Sequence, residues 1–193
     1  MSLSFYDGTA AAYFQDTVGA DVAPLRARFL KQVRAGGRIL DAGCGSGRDA
    51  RAFSDEGYDV SAFDASAELA KLASAYAGIA VQHLTFAEMD WREAFDGIWA
   101  SASLLHVPRA DLDGIFLRFA RALKPNGAWY LSMKLGYGDR LVDGRLFTDI
   151  TEPELRDRLE ALGLHVYDVW CTDDVRPGRS DRWVNAIAVH SSG

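Results

Sequence analysis

Short apolar runs alternate with amphipathic stretches along most of the chain. Apolar segments at Gly37 to Leu40, Tyr58 to Phe63, Ile79 to Leu84, Phe95 to Ala102, Ala128 to Met133, Leu164 to Cys171 and Asp181 to His190 have the length and β-branched or aromatic content of strands. Helical spacing fills the gaps. Leu112, Ile115, Phe116, Phe119 and Leu123 make one stripe between Asp111 and Leu123, closed by Lys124-Pro125-Asn126-Gly127. Arg48 to Glu56 reads as a helix stopped at Gly57, and Ser66 opens an alanine-rich helix reaching about Ala77. Thr151-Glu-Pro-Glu154 has the form of a capping box, with Leu155, Leu159 and Leu162 inward and Gly163 as the stop. Before the first strand, a helix is expected from about Thr9, with Asp21 as the cap of a second carrying Leu25, Phe29, Leu30 and Val33 on one face. Strands alternating with helices imply a single α/β domain with a largely parallel sheet. Residues 134 to 150, with Gly136, Gly138 and Gly144, are the least regular part.

The first strand leads into Asp41-Ala-Gly-Cys-Gly-Ser-Gly47 and then a helix. Glycines at alternate positions let the backbone turn tightly and approach a ligand, while the helix start offers free N–H groups. A pyrophosphate-binding turn would have the spacing G-x-G-x-x-G, but its third glycine position holds Arg48. Asp41 would repel a pyrophosphate and suits a ligand with an ammonium or sulfonium. Asp64, at the end of the second strand, lies 21 residues beyond Gly43, the offset at which a carboxylate reaches a ribose diol. A tight turn without ligand, and a capping role for Asp64, are the plainer readings.

The Asp41-to-Gly47 run resembles motif I of the class I S-adenosylmethionine-dependent methyltransferases. Asp64-Ala65-Ser66, the loop Thr85 to Trp91, F-D-G-I-W-A-S-A-S-L-L-H-V-P at Phe95 to Pro108, and L-K-P-N-G at Leu123 to Gly127 resemble the family's later motifs in order. The resemblance covers about Tyr6 to His190. It implies a Rossmann-like seven-stranded sheet of order 3-2-1-4-5-7-6, the last strand antiparallel, and methyl transfer from S-adenosylmethionine to a small molecule. It also implies that Asp41, Gly43, Cys44 and Gly45 hold the methionine end, and that Asp64 and Ala65 hold the ribose and flank the adenine. Thr85 and Phe86 then face the adenine, and the strand tip at Ala100 and Ser101 borders the transferred methyl. The family's usual acid in the adenine loop is Thr85 here, so the exocyclic amine meets Thr85, Glu88 or backbone alone. Met89 and Trp91 read as core.

The resemblance further implies that residues 1 to 34 form a helical cap over the cofactor mouth. Tyr13 there either lies against the sulfonium by cation–π attraction or packs in the core. His106 is the histidine nearest the reacting end and is the candidate general base, or else a packing and hydrogen-bonding residue. The irregular stretch 134 to 150 emerges where open α/β sheets bind ligands, so it is placed as a substrate lid. Tyr13, Lys134, Arg145, Arg176 and Arg179 are candidate substrate contacts. Arginines beside an aromatic point weakly to an acceptor with a carboxylate or phosphate, against the plainer reading of a solvated hairpin tip. A nicotinamide-dependent oxidoreductase and a cofactor-binding protein without transferase activity are the alternatives.

The chain has 193 residues, 49% hydrophobic, enough for one domain with a full core. Its net charge of −6 speaks against broad contact with nucleic acid. With no long apolar run, no secretory leader at the start and two cysteines, one of them in the glycine turn, a cytoplasmic protein without a membrane span or disulfide framework is expected. No metal is expected.

Overall fold

The computed structural model describes residues 2–142, 144–176 and 178–190, with side chains from residue 8 onward. In chain order the elements are α1 (Ser2–Val18), α2 (Ala23–Leu30), β1 (Arg38–Ala42), α3 (Arg48–Asp55), β2 (Asp59–Asp64), α4 (Ala67–Ala77), β3 (Val81–His83) and β4 (Phe95–Ala100). They continue with α5 (Leu112–Ala122), β5 (Leu123–Lys134), β6 (Asp139–Val142), β7 (Arg145–Thr148), α6 (Glu152–Glu160), β8 (Leu164–Asp173) and β9 (Arg182–His190). Seven strands hydrogen-bond in the order β3-β2-β1-β4-β5-β9-β8. β1 pairs in parallel with β2 and β4, and β9 runs antiparallel to β5 and β8. This is the expected Rossmann-like arrangement, with β8 and β9 as its sixth and seventh sheet strands. The order reverses between β1 and β4, so a crevice opens over the carboxyl ends of these strands, where open α/β sheets bind ligands.

Alternation along the strands divides the core into two layers. Leu40, Ile98, Trp129 and Leu131 face α5 and α6, where Trp129 stacks on Phe119 at 4.8 Å between ring centroids. Ile39, Trp99 and Tyr130 face α2 and α3, where Trp99 stacks on Tyr130 at 3.9 Å. The stripe read in α5 is buried as expected, from Leu112 through Phe119 to Leu123.

Several boundaries differ from the expectation. α1 begins at Ser2 rather than near Thr9, and Val22 is the N-cap of α2, although Asp21 accepts the Ala23 N–H at 2.9 Å. Lys124-Pro125-Asn126-Gly127 does not separate helix from strand. It is a bulge inside β5, whose register against β4 moves from Phe95↔Leu123 to Gly97↔Ala128, with Asn126 at φ 63°. At α6 half of the capping box forms: Thr151 accepts the Glu154 N–H at 3.3 Å, while the Glu154 carboxylate is drawn to Arg109 and Arg158 instead.

The stretch 134 to 150 contains two regular strands, Asp139–Val142 and Arg145–Thr148, where irregular chain was expected. β6 and β7 pair antiparallel as a hairpin, and its base is stitched to the rest by Ile150 N–H to Lys134 O at 2.9 Å and Thr148 Oγ1 to Val107 O at 2.7 Å. Arg140 clasps Asp149 at 2.6 Å beside it. Among the described residues no helix is long and apolar enough to cross a membrane.

Candidate active site

The glycine run folds as an elbow across the neighbouring strand tip. The N–H groups of Gly43 and Cys44 both donate to Phe63 O at 3.0 Å, which pulls the chain over the end of β2. Gly43 has φ 72°, and a Cβ there would lie 2.6 Å from the Ser103 Cβ. Gly45 has φ 54°, and a Cβ there would lie 3.2 Å from the Tyr13 ring. Asp64 secures the elbow from β2: Oδ2 accepts the Gly45 N–H at 2.8 Å and Oδ1 accepts the Ser66 N–H at 2.9 Å. Ser66 then caps α4 by accepting the Leu69 N–H at 3.2 Å.

Two carboxylates beside this elbow are in opposite electrostatic states. Asp49 accepts from Arg26 at 2.8 Å, from Arg48 at 2.6 Å and from the Trp99 indole at 3.0 Å. Burial alone would favour its neutral form, but Arg48 and Arg26 outweigh it and hold the carboxyl below its ordinary value. Asp41 has no such partner. It is 3% exposed and its Oδ2 is buried without a hydrogen bond. Burial first, then the charge of Asp49, pushes its carboxyl well above the ordinary range against the pull of Arg48 and the Ala50 N–H. The Cys44 thiol is pushed up as well, by burial and by Asp41, which disfavours a thiolate nucleophile.

Two adjoining cavities meet at Tyr13, Gly43, Gly45, Ala102 and His106. The first, about 750 Å³, contains Asp64, Ala65, Thr85 and Phe86 and runs along α5. The second, about 620 Å³, contains Asp41, Cys44, Ser101, Lys134, Arg145, Arg176 and Arg179. The structure thus brings the sequence candidates to one trough, with one exception. Ala100 is fully buried in the core cluster under α5 and lines neither cavity, and the trough begins at Ser101 and Ala102. Thr85 is committed locally: its hydroxyl donates to Glu88 Oε2 at 2.7 Å and its N–H to the same oxygen at 2.9 Å.

His106 occupies a short 3-10 turn where the cavities join. Its Nδ1 lies 2.6 Å from Leu146 O. A carbonyl only accepts, so Nδ1 carries the proton and Nε2 holds the lone pair. Burial, with Arg145 and Lys134 adding repulsion, lowers its pKa below the usual histidine value in spite of the Leu146 bond. The ring sits edge-on to Phe147 at 4.7 Å. Lys134 Nζ lies 4.8 Å from the same ring and 2.8 Å from Asp181. Arg176 is engaged elsewhere, on Asp174 at 2.7 Å and on Asp16 of α1 at 3.2 Å, and Arg179 faces Asp16 at 3.6 Å.

A family model described as a methyltransferase domain matches residues 14–169. The chain belongs to that methyltransferase-domain family. It is 34% identical over 105 residues to a ubiquinone biosynthesis O-methyltransferase of Xanthomonas oryzae pv. oryzae (strain PXO99A), covering 51% of this chain and 43% of that one. A ubiquinone biosynthesis O-methyltransferase of Xylella fastidiosa (strain M23) is 30% identical over 176 residues, 86% of this chain and 67% of its own. The chain therefore spans less than half of the Xanthomonas relative. The fold is shared with a Burkholderia thailandensis 1,6-didemethyltoxoflavin-N1-methyltransferase solved with 1,6-didemethyltoxoflavin and S-adenosylhomocysteine (TM-score 0.79, 24% identity, 99% of this chain, 86% of that one). It is shared too with the [4+2]-cyclase SpnF (TM-score 0.80, 16% identity, 100% and 96%).

Beyond the motifs, this methyltransferase domain places Ser132, Phe147, Trp183 and Asn185 on the second cavity. Ser132 and Asn185 carried a faint sequence signal, as polar positions within apolar strands. Phe147 was missed because its strand was not read.

Proposed function

We propose that this protein transfers the methyl group of S-adenosylmethionine to a small-molecule acceptor. The observation that carries the reading is the buried Asp41 Oδ2, which lacks a partner beside the glycine elbow and fits an ammonium group. In this reading Asp41 with Gly43, Cys44 and Gly45 holds the methionine end. Asp64 and Ala65 hold the ribose and border the adenine, Thr85 and Phe86 lie along the base, and Ser101 marks the reacting end. When bound, the cofactor supplies an activated methyl group on a sulfonium. The chain's own part is alignment: the elbow fixes one reactant and the second cavity the other, so that displacement proceeds in line. His106 accepts the acceptor's proton at Nε2 where the acceptor needs a base.

The remaining parts of the reading follow from the same trough. Tyr13, set against Gly45, lets α1 act as a cap, and the β6–β7 hairpin covers the acceptor side with Arg145. Lys134, Arg176 and Arg179 complete the rim of that side. A cytoplasmic location suits the free Cys44 and Cys171. A second reading, cofactor binding without methyl transfer, is kept open because the same fold occurs in a protein named a cyclase. Calorimetry with S-adenosylhomocysteine and with NAD tests the assignment: binding of the first and not the second is expected, and the reverse result overturns it. Release of S-adenosylhomocysteine from S-adenosylmethionine with an acceptor panel separates transfer from binding alone.

A further inference from the structure

Just past the end of β4, Ala102 has φ 52°. A left-handed backbone is costly for a residue with a Cβ, and asparagine or aspartate can offset that cost with a local side-chain hydrogen bond. Alanine has no such group. Among the described residues, Glu93, Ala102 and Asn126 are the non-glycines with positive φ, and of these Ala102 lines the trough, at the meeting of its two cavities. What holds it comes from β5: the Ala102 N–H donates to Ser132 Oγ at 2.8 Å, and Ser132 is buried. Beyond Ala102 the chain enters the 3-10 turn that carries His106, with Ser103 packed on the elbow where Gly43 lacks a Cβ. Ser103 Oγ is itself buried and without a partner, on the wall of the first cavity.

Ser132 is free to accept from Ala102 because its own proton is directed elsewhere. Trp170 O can only accept, so the Asn185 amide turns Nδ2 to it at 3.3 Å, with Thr172 Oγ1 at 3.1 Å, and leaves Oδ1 to accept from the Tyr130 hydroxyl at 2.7 Å. Its proton spent on Asn185, the Tyr130 oxygen accepts from the hydroxyls of Ser132 and Ser101. Every donation thus points the same way, from the tip of β4 through β5 and β9 to β8. Tyr130 is fully buried and lines neither cavity.

We infer that Ser132 is a positioning residue for the cofactor: it holds Ala102 in the left-handed conformation, and so keeps Ser103 against Gly43 with its hydroxyl offered to the first cavity. This rests on the methyl-transfer reading above, in which that cavity takes the nucleoside, and adds to its site two residues that act in series. Backbone strain at a site persists only where the surroundings over-determine it. Without the bond from Ser132, Ala102 relaxes to negative φ, its peptide groups rotate, and Ser103 moves relative to the elbow.

Calorimetry with S-adenosylhomocysteine on the whole chain is the test. If wild type does not bind, the methyl-transfer reading falls and this inference with it. If wild type binds, that reading stands and a cycle of variants decides the inference. Ser132→Ala is expected to weaken binding on the order of tenfold or more, the scale of one strained residue. Glycine takes positive φ as readily as negative, so in the Ala102→Gly background the same substitution is expected to cost less than threefold. A role for Ser132 in packing or stability alone would cost the same in both backgrounds. Ser132→Ala binding within threefold of wild type overturns the inference, and so does an equal loss with alanine or glycine at position 102. Should Ser132→Ala fail to fold, Tyr130→Phe, which takes away the acceptor of the Ser132 proton from outside the cavities, replaces it with the same expected loss, the same rescue and the same refutation.

Discussion

Replacing Asp41 by Asn separates stability from binding, because the two effects have opposite signs. In the free protein Asp41 is a buried carboxyl with one oxygen unpartnered, and Asp49 and Asp64 add repulsion to the cost of burial. Its folded pKa stands above the ordinary value of 3.8. The stability this group contributes is therefore complete below that ordinary value and is lost as pH rises through the raised folded value. Asn has the same shape without the charge. Asn still leaves a polar atom at the unpartnered position but removes the charge that burial, Asp49 and Asp64 disfavour, so Asp41→Asn is expected to stabilise the free protein above the ordinary carboxyl range, by about 1.4 kcal/mol for each unit by which the folded pKa is raised. With the cofactor the sign reverses. A hydrogen bond from a charged donor is worth about 1.5–3 kcal/mol, so affinity falls roughly 10- to 150-fold. Urea unfolding at pH 7 gives the first quantity and calorimetry with S-adenosylmethionine the second. Wild type should also lose stability relative to the variant as pH rises above the ordinary carboxyl range. A variant that is less stable than wild type, or that binds the cofactor unchanged, refutes the claim that Asp41 is an orphaned acid awaiting a cation.

Two further outcomes bear on the site. Asp64→Ala leaves the Gly45 and Ser66 N–H groups without their acceptor, so we expect about 2–4 kcal/mol of lost stability together with ~1–3 kcal/mol of lost cofactor affinity; a folded variant with unchanged affinity would remove Asp64 from the site. His106→Ala is expected to lower turnover about a hundredfold, and wild-type kcat/KM should fall as pH drops through a value below the ordinary 6.5, because the base must be neutral and burial, Arg145 and Lys134 all disfavour its charge. A variant with near-normal turnover, or a rate flat down to about pH 5, would leave His106 a purely structural hydrogen-bonding role.

The order of the elements and the elbow were legible in the sequence because both rest on local rules. A parallel sheet buried on both faces needs short apolar runs, its crossovers need amphipathic helices, and a turn that crosses a strand tip needs residues without a Cβ. Asp41 and Asp64 could be placed because Asp41 is next to last in β1 and Asp64 ends β2, and the pairing of β1 with β2 brings those ends together. The β6–β7 hairpin was open to the same kind of reading: Leu141-Val142 and Leu146-Phe147 flank Asp143-Gly144, a pair that favours tight hairpins. Its glycines and arginines instead suggested irregular chain.

What tertiary structure decided is where each charge is directed. Four basic residues look alike on the acceptor side of the sequence, yet Arg176 and Arg179 are directed to Asp174 and to Asp16 of α1, Lys134 pairs with Asp181, and Lys134 and Arg145 lie with His106 around Phe147. Likewise Asp41 and Asp49 are two acids in one short run, but Arg26, Arg48 and Trp99 converge on Asp49 alone. Residue type sets the charge that a side chain can carry. Whether a partner at the far end of the chain neutralises that charge depends on distances of a few ångströms, and those exist only once the helices and strands have packed.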